Sequence, residues 1–175
     1  DVQWMTAGKG VLHSEMFPLL NQDKPNPLLL FQIWLNLPRQ SKKVEPHYKM
    51  LWSEEIPSVS VKDSQGLKTK VKIIAGEFTN TKAIAPTPDS WAADENNHVN
   101  IWRISMPANA EFELPKTTEE AHRMLFFYEG ESINADGFEI PAAHSVQLDA
   151  SESLKIKNGN KNAEFLLLQG KPIDE

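Results

Sequence analysis

The sequence has no cysteine, which removes disulfides, thiolate metal sites and cysteine nucleophiles. It has no apolar run approaching the ~20 residues that span a bilayer. It has no excess of base either: 18 Lys and Arg stand against 24 Asp and Glu, for a net charge of −6. The absence of a basic run argues against non-specific binding to nucleic acid, because phosphate contacts need clustered Lys and Arg. Histidine is scarce, at five residues, and shares the metal-donor role with Asp and Glu alone. The chain does not begin with Met and lacks the charged and apolar regions of a signal peptide. Low-complexity tracts and solenoid-length repeats are missing too. What remains is 175 residues, 40% hydrophobic and 24% charged. That is an ordinary globular composition, long enough for one domain or two small ones around a real core.

The dominant pattern is short alternating segments separated by Pro, Gly, Asn and Asp. Leu29, Phe31, Ile33, Leu35 and Leu37 alternate with Leu30, Gln32, Trp34 and Asn36, which predicts a strand over residues 28–37. Gln32, Trp34 and Asn36 share one face of that strand. Thr69, Val71 and Ile73 alternate with Lys68, Lys70 and Lys72; the lysine stripe is a solvated sheet face that discourages edge pairing. His98 to Met106 forms a third such segment, and Met124–Tyr128 and Phe165–Leu168 are expected as more fully buried strands. Asn158-Gly159-Asn160 follows Leu154 and Ile156, and Asn-Gly favours the positive φ angles of a hairpin. Strands at this spacing predict an antiparallel sandwich or barrel. Two stretches interrupt it. Residues 42–52, with Pro46, predict a short helix or turn leading into the linker Ser53-Glu54-Glu55-Ile56-Pro57. Residues 83–97, rich in Pro, Asp and Asn, predict a surface loop.

One segment carries metal chemistry: Ala7-Gly8-Lys9-Gly10-Val11-Leu12-His13-Ser14-Glu15-Met16. Gly8 and Gly10 bracket a tight turn, and a strand is expected to follow. His13 and Glu15, two apart, then share a face. An imidazole and a carboxylate converging on one point suit iron, manganese or zinc better than a soft metal. Such a pair on a strand is ordinarily solvated or hydrogen-bonded, so the spacing alone does not establish a site.

The stretch Val2-Gln3-Trp4-Met5-Thr6-Ala7-Gly8-Lys9-Gly10-Val11-Leu12-His13-Ser14-Glu15-Met16 resembles the second cupin motif of the pirin family. The similarity continues in order through Gln32-Ile33-Trp34-Leu35-Asn36-Leu37-Pro38, Val44-Glu45-Pro46-His47-Tyr48, Ser53-Glu54-Glu55-Ile56-Pro57, Ile74-Ala75-Gly76-Glu77 and Gly170-Lys171-Pro172-Ile173. It is dense up to about Glu77 and thin from Phe78 to Leu168. The resemblance implies an all-β bicupin of two jelly-roll barrels. Residues 1–51 would be the C-terminal part of a first, metal-binding barrel, 52–57 a linker, and 58–175 a nearly complete second barrel without metal. In pirins one iron is held by three His and one Glu. Two of those His come from a His-x-His motif upstream; the others come from the His-x-Glu strand. Carried over, His13 and Glu15 are metal ligands for Fe(II) or another divalent ion.

The chain departs from the family in lacking any His-x-His, and that motif's region would lie before Asp1. It also stops short of the usual pirin tail, and residues 18–27 form a longer loop than usual. The resemblance therefore implies a truncated pirin with doubtful iron occupancy. Half a barrel leaves unpaired strand edges, so the chain is expected to dock its missing half from another chain, to self-associate through the incomplete first barrel, or to collapse onto its own second barrel. Two functions follow from the family. One is a quercetin 2,3-dioxygenase-like enzyme acting on a flavonol or related aromatic molecule, with Glu15 as the catalytic residue that accepts the hydroxyl proton. The other is a non-enzymatic, iron-dependent co-regulator that contacts a transcription factor or a metabolic enzyme. Neither implies direct nucleic-acid or membrane contact. The expected location is cytoplasmic, or nuclear in a eukaryote. His122 and His144 each stand alone and are expected to be structural or surface residues, as are His47 and His98. Glu129-Gly130-Glu131 is expected to form a hairpin turn, and the five tryptophans to be core or interface.

Overall fold

Alternation of apolar and polar residues drives much of this chain into antiparallel strands, which a computed structural model describes for residues 1–173. In order these are β1 (Val2–Thr6), β2 (His47–Leu51), β3 (Ser58–Lys62), β4 (Lys68–Ala75), β5 (Glu77–Phe78), β6 (Thr81–Lys82) and β7 (Asn100–Met106). Then follow β8 (Glu111–Leu114), β9 (His122–Glu129), β10 (Ser132–Ala135), β11 (Phe138–Pro141), β12 (His144–Leu148), β13 (Leu154–Asn158) and β14 (Ala163–Gly170). Three single 3-10 turns, Arg39–Ser41, Trp91–Ala93 and Glu95–Asn97, are the helical elements among the described residues. No helix there is long and apolar enough to cross a membrane.

Two sheets make the barrel. One has six strands in the order β12-β9-β14-β7-β4-β3, the other four in the order β11-β10-β13-β8. The chain passes back and forth between them, as a jelly roll requires. Every second residue of each strand points inward. Val71, Ile73, Trp102, Ile104, Phe112, Leu125, Phe127, Ile133, Ile156, Phe165 and Leu167 meet there and fill the interior. Phe127 stacks on Phe165 with ring centroids 4.8 Å apart, and Phe78 meets Trp102 edge-on at 5.1 Å.

A second apolar cluster lies outside the barrel, on the back of the six-stranded sheet. β1 and β2 form a separate two-stranded ribbon, whose Trp4 and Leu51 pack with Ile56, Ala75, Val99, Ile101 and Leu166. Residues 83–97 fasten it. Trp4 Nε1 donates to Ser90 Oγ at 3.3 Å. Thr6 Oγ1 lies 2.8 Å from Thr87 Oγ1 and donates to the Pro88 carbonyl at 2.7 Å. Thr87, Ser90 and Asn97 are buried, so this stretch is a strap rather than the surface loop its composition predicts.

Four other expectations change. Residues 42–52 contain strand β2, because β1 supplies it with a ladder. Residues 28–37 alternate like a strand but form none, because no described segment pairs with them; a strand without a partner leaves its backbone groups to water. Asn158-Gly159-Asn160 is not a hairpin: β13 pairs with β8 and β10, while β14 pairs with β7 and β9. The turn carries the chain from one sheet to the other. Asn158 is buried at the crossing and donates to the Pro107 and Lys161 carbonyls at 2.8 Å. Glu129-Gly130-Glu131 is a crossing of the same kind, from β9 to β10. Trp4 and Trp102 are buried as expected, but Trp34 and Trp52 are exposed.

Candidate functional site

The site begins at the turn after β1. The Gly10 amide donates to the Ala7 carbonyl at 2.8 Å, and the Lys9 amide to the Val44 carbonyl at 2.9 Å. Gly8 has φ +50°, and a Cβ there would run into the Val44 carbonyl oxygen. Glycine is required at this position both for the backbone angle and for the close approach. Lys9 also forms an ion pair with Glu45. The turn is thereby tied to the approach to β2.

Beyond Gly10 the chain departs from what the sequence predicts. His13 and Glu15 lie in an extended stretch without a ladder, and both are exposed. The strand expected there is absent for the same reason as over residues 28–37. Val11, Leu12, Met16, Phe17, Leu19 and Leu20 around them are exposed as well. Among the described residues, no three His, Asp or Glu side chains gather closely enough to hold a metal ion. Two solvated donors gain little chelation. The residues of this chain, as arranged here, do not by themselves fit a metal centre.

A shallow open groove of about 550 Å³ lies next to the turn, lined by Ala7, Gly8, residues 34–37 and Lys42. Trp34 and Asn36 reach it; Gln32 does not line it. A smaller cleft of about 280 Å³ runs between Pro38, Gln40 and Ser41 on one side and residues of the strap, Asp89 to Asn97, on the other. At the start of β2, His47 Nε2 stands 3.6 Å from the Asp89 carboxylate, so this histidine joins ribbon to strap. His98 precedes β7 with φ +50°, and its carbonyl accepts from Gln169 Nε2 at 3.0 Å. His122 and His144 open β9 and β12 and are exposed. The histidines are thus dispersed.

Two polar networks escaped the sequence reading. On the back of the six-stranded sheet, Glu164 Oε2 accepts from Arg103 Nε at 3.1 Å and from Ser105 Oγ at 2.8 Å. Arg103 Nε also lies 3.1 Å from the Tyr128 hydroxyl. Burial, offset by Arg103 and reinforced by Glu164, pushes the Tyr128 phenol up. The Glu164 carboxylate is occupied by donors, so the network is a brace, not an acid–base pair. Phe31 reaches it from the arm, its ring 4.9 Å from that of Tyr128. At one end of the barrel interior Arg123 is 2% exposed. Its Nε donates to Gln169 Oε1 at 2.8 Å and its Nη1 to the Pro115 carbonyl at 2.9 Å. Burial among neutral acceptors lowers its pKa. The signal for Arg123 was present in the sequence: it shares parity with the inward Leu125 and Phe127.

Comparison with known proteins gives this geometry its context. Residues 1–35 match the family model described as pirin, and residues 101–175 match the pirin C-terminal cupin domain. A pirin-like protein of Solanum lycopersicum is 32% identical over 180 residues, covering all of this chain and 55% of that protein. Pirin of Rattus norvegicus is 32% identical over 171 residues, covering 89% of this chain and 55% of its own length. A candidate quercetin 2,3-dioxygenase of Pseudomonas aeruginosa is 29% identical, covering all of this chain and 57% of that protein. The chain therefore spans a little over half the length of these curated relatives. In fold, it superposes on the crystal structure of a quercetin 2,3-dioxygenase from Acinetobacter baumannii with a TM-score of 0.62 at 21% identity, over 80% of this chain and 44% of that one. With two pirin models matching in order and a jelly-roll barrel where the second model falls, the chain belongs to the pirin family.

Proposed function

We propose that this chain is part of a metal-dependent, quercetin 2,3-dioxygenase-like pirin, and that His13 and Glu15 belong to the ligand set of its first barrel. The observation that carries the reading is the position of both residues within the stretch matching the pirin model, on an arm where neither is engaged by the rest of the chain. The remaining ligands, two imidazoles by family analogy, come from outside the 175 residues, as do the strands that would give residues 11–37 a ladder. On this reading residues 1–51 finish the first barrel, 52–57 link, and 58–175 form the second.

The metal proposed is Fe(II), which would supply the open coordination positions needed for dioxygen chemistry. The chain's own contribution is more limited. Glu15 accepts the proton of a flavonol hydroxyl, and the groove beside Gly8, with Trp34 and Asn36 in its lining, offers a flat ring one apolar and one polar contact. The ribbon and strap hold that groove to the second barrel.

The test uses the intact protein that contains this chain. Iron content and oxygen uptake with quercetin are measured for the parent, His13→Ala and Glu15→Gln. The expected result is iron near stoichiometry in the parent, its loss in His13→Ala, and oxygen uptake lost in both variants. Full iron in His13→Ala, or no oxygen uptake by an iron-loaded parent, would overturn the reading.

A further inference from the structure

Two faces of the same barrel treat charge in opposite ways. On the outside of the four-stranded sheet, cross-strand neighbours are complementary. Glu111 stands opposite Lys157 and Glu113 opposite Lys155, and the first pair meets at 3.6 Å. On the outside of the six-stranded sheet, near β3, cross-strand neighbours match in sign. Lys62 stands opposite Lys68 and Lys72 opposite Arg103. Lys70 lies between Ser60 and Ser105. Parity places all of these away from the core, because Thr69, Val71 and Ile73 point inward.

Directly opposed like charges destabilise a strand pair. Lys72 has a structural role, since its Nζ donates to the Ser53 carbonyl at 3.0 Å and to Ser53 Oγ at 2.6 Å; Lys62, Lys68 and Lys70 have no such partner among the described residues. Among the described residues, no carboxylate lies within 4 Å of Lys62, Lys68, Lys70 or Lys72, whereas Arg103 is held by Glu164. Burial, then Lys70 and Arg103, hold the Lys72 ammonium below its usual range. The cluster sits in a chain whose net charge is −6. Edge protection accounts for a lysine on β3, which has no strand on its outer side. It does not account for Lys68 and Lys70 on β4, which lies inside the sheet between β3 and β7.

We infer that this face docks an acidic, extended segment of a partner protein. Alternate side chains on a strand are spaced by roughly 6.5–7 Å, so the exposed Lys68 and Lys70 match carboxylates two positions apart on another extended chain. A nucleic acid fits less well. The outward residues of β3 and β4 are serines, lysines and Ile74, with no aromatic ring to stack a base.

The test is fluorescence anisotropy with a labelled peptide of about a dozen alternating Glu and Thr residues, alongside its Gln-for-Glu counterpart and an oligothymidylate of similar length. The double variant Lys68→Glu/Lys70→Glu is compared with Lys43→Glu/Lys116→Glu, which changes net charge equally at exposed positions elsewhere. The expected result is binding of the Glu peptide that weakens about tenfold or more in the first variant and little in the second. The first variant should also melt about 1–3 °C higher, because Lys68→Glu sets a carboxylate opposite Lys62 and relieves the opposed charges. The proposal is overturned by no peptide binding, by equal weakening in both variants, by preference for the oligothymidylate, or by a lower melting point in the first variant. That last outcome would mean the lysines serve the sheet itself.

Discussion

The barrel and the arm before β2 draw on the same apolar residues with opposite outcomes. In the barrel, Val71, Ile73, Ile104, Phe165 and Leu167 are fully buried. In the arm, Leu20 and Trp34 are each 89% exposed and Leu12 is completely so. Both regions alternate apolar with other residues. What separates them is the backbone: β14 has ladder partners on both sides, β7 and β9, whereas residues 11–37 have none among the described residues. Side-chain pattern proposes a strand, and hydrogen-bonded neighbours on either side make it one.

The contrast can be broken most forcefully by truncating one residue on each side. Phe165→Ala should lower unfolding stability by about 3–5 kcal/mol, through the lost burial and the cavity left against Phe127. Leu20→Ala should change it by no more than about 0.5 kcal/mol. Urea unfolding measures both, and similar costs would show that the arm is packed after all. A smaller effect is expected at the ribbon, which is neither arm nor barrel. Thr6→Val removes a hydroxyl bonded to Thr87 and to the Pro88 carbonyl and should cost about 1–2 kcal/mol, with faster hydrogen exchange in β1 and β2 and none of that change in β14. Uniform acceleration would mean that ribbon and barrel open as one unit.

The smallest effect concerns pH. The Asp63 carboxylate accepts from the Glu111 amide at 3.0 Å and from the Gln65 and Leu67 amides at 2.9 Å. The Glu111 bond first, then those of Leu67 and Gln65, hold its pKa below the ordinary 3.8. A carboxylate depressed in this way stabilises the fold fully above its unfolded value, and the contribution disappears as pH falls through the folded value. Urea midpoints of the parent should therefore decline below about pH 4 more steeply than those of Asp63→Asn. Parallel declines would show that the link between the β3–β4 turn and β8 does not matter.

Much of the barrel was legible because its strands signal themselves locally. The β4 alternation and the apolar runs of β9 and β14 need only parity and composition to be seen. The errors share one cause, which is that the deciding partner is distant in sequence. Asn158-Gly159 has hairpin chemistry, but the strand beside β13 is β10, more than twenty residues earlier. The strap looks like any loop rich in Pro, Asp and Asn until Thr87 and Ser90 are seen to meet Thr6 and Trp4. β2 needed β1, which lies on the far side of the arm. The candidate site was harder still. His13 and Glu15 could be picked out as a donor pair, but convergence is a property of three dimensions. Arg103, Glu164 and Tyr128 come from three strands with no motif to join them.

The anchoring of the arm has a topological consequence. Val2–Thr6 runs antiparallel to His47–Leu51, and Lys9 touches Val44, so the arm leaves and re-enters the folded body at a single doorstep. A protease nick anywhere along it frees nothing: the leading piece stays zipped through five residues and one buried indole. Such a protein would migrate as two bands on a denaturing gel yet elute as one species from a native column. By the same geometry, replacing the stretch with a tight turn would leave both bordering strands where they are, while removing His13 and Glu15 and the contact of Phe31 with Tyr128.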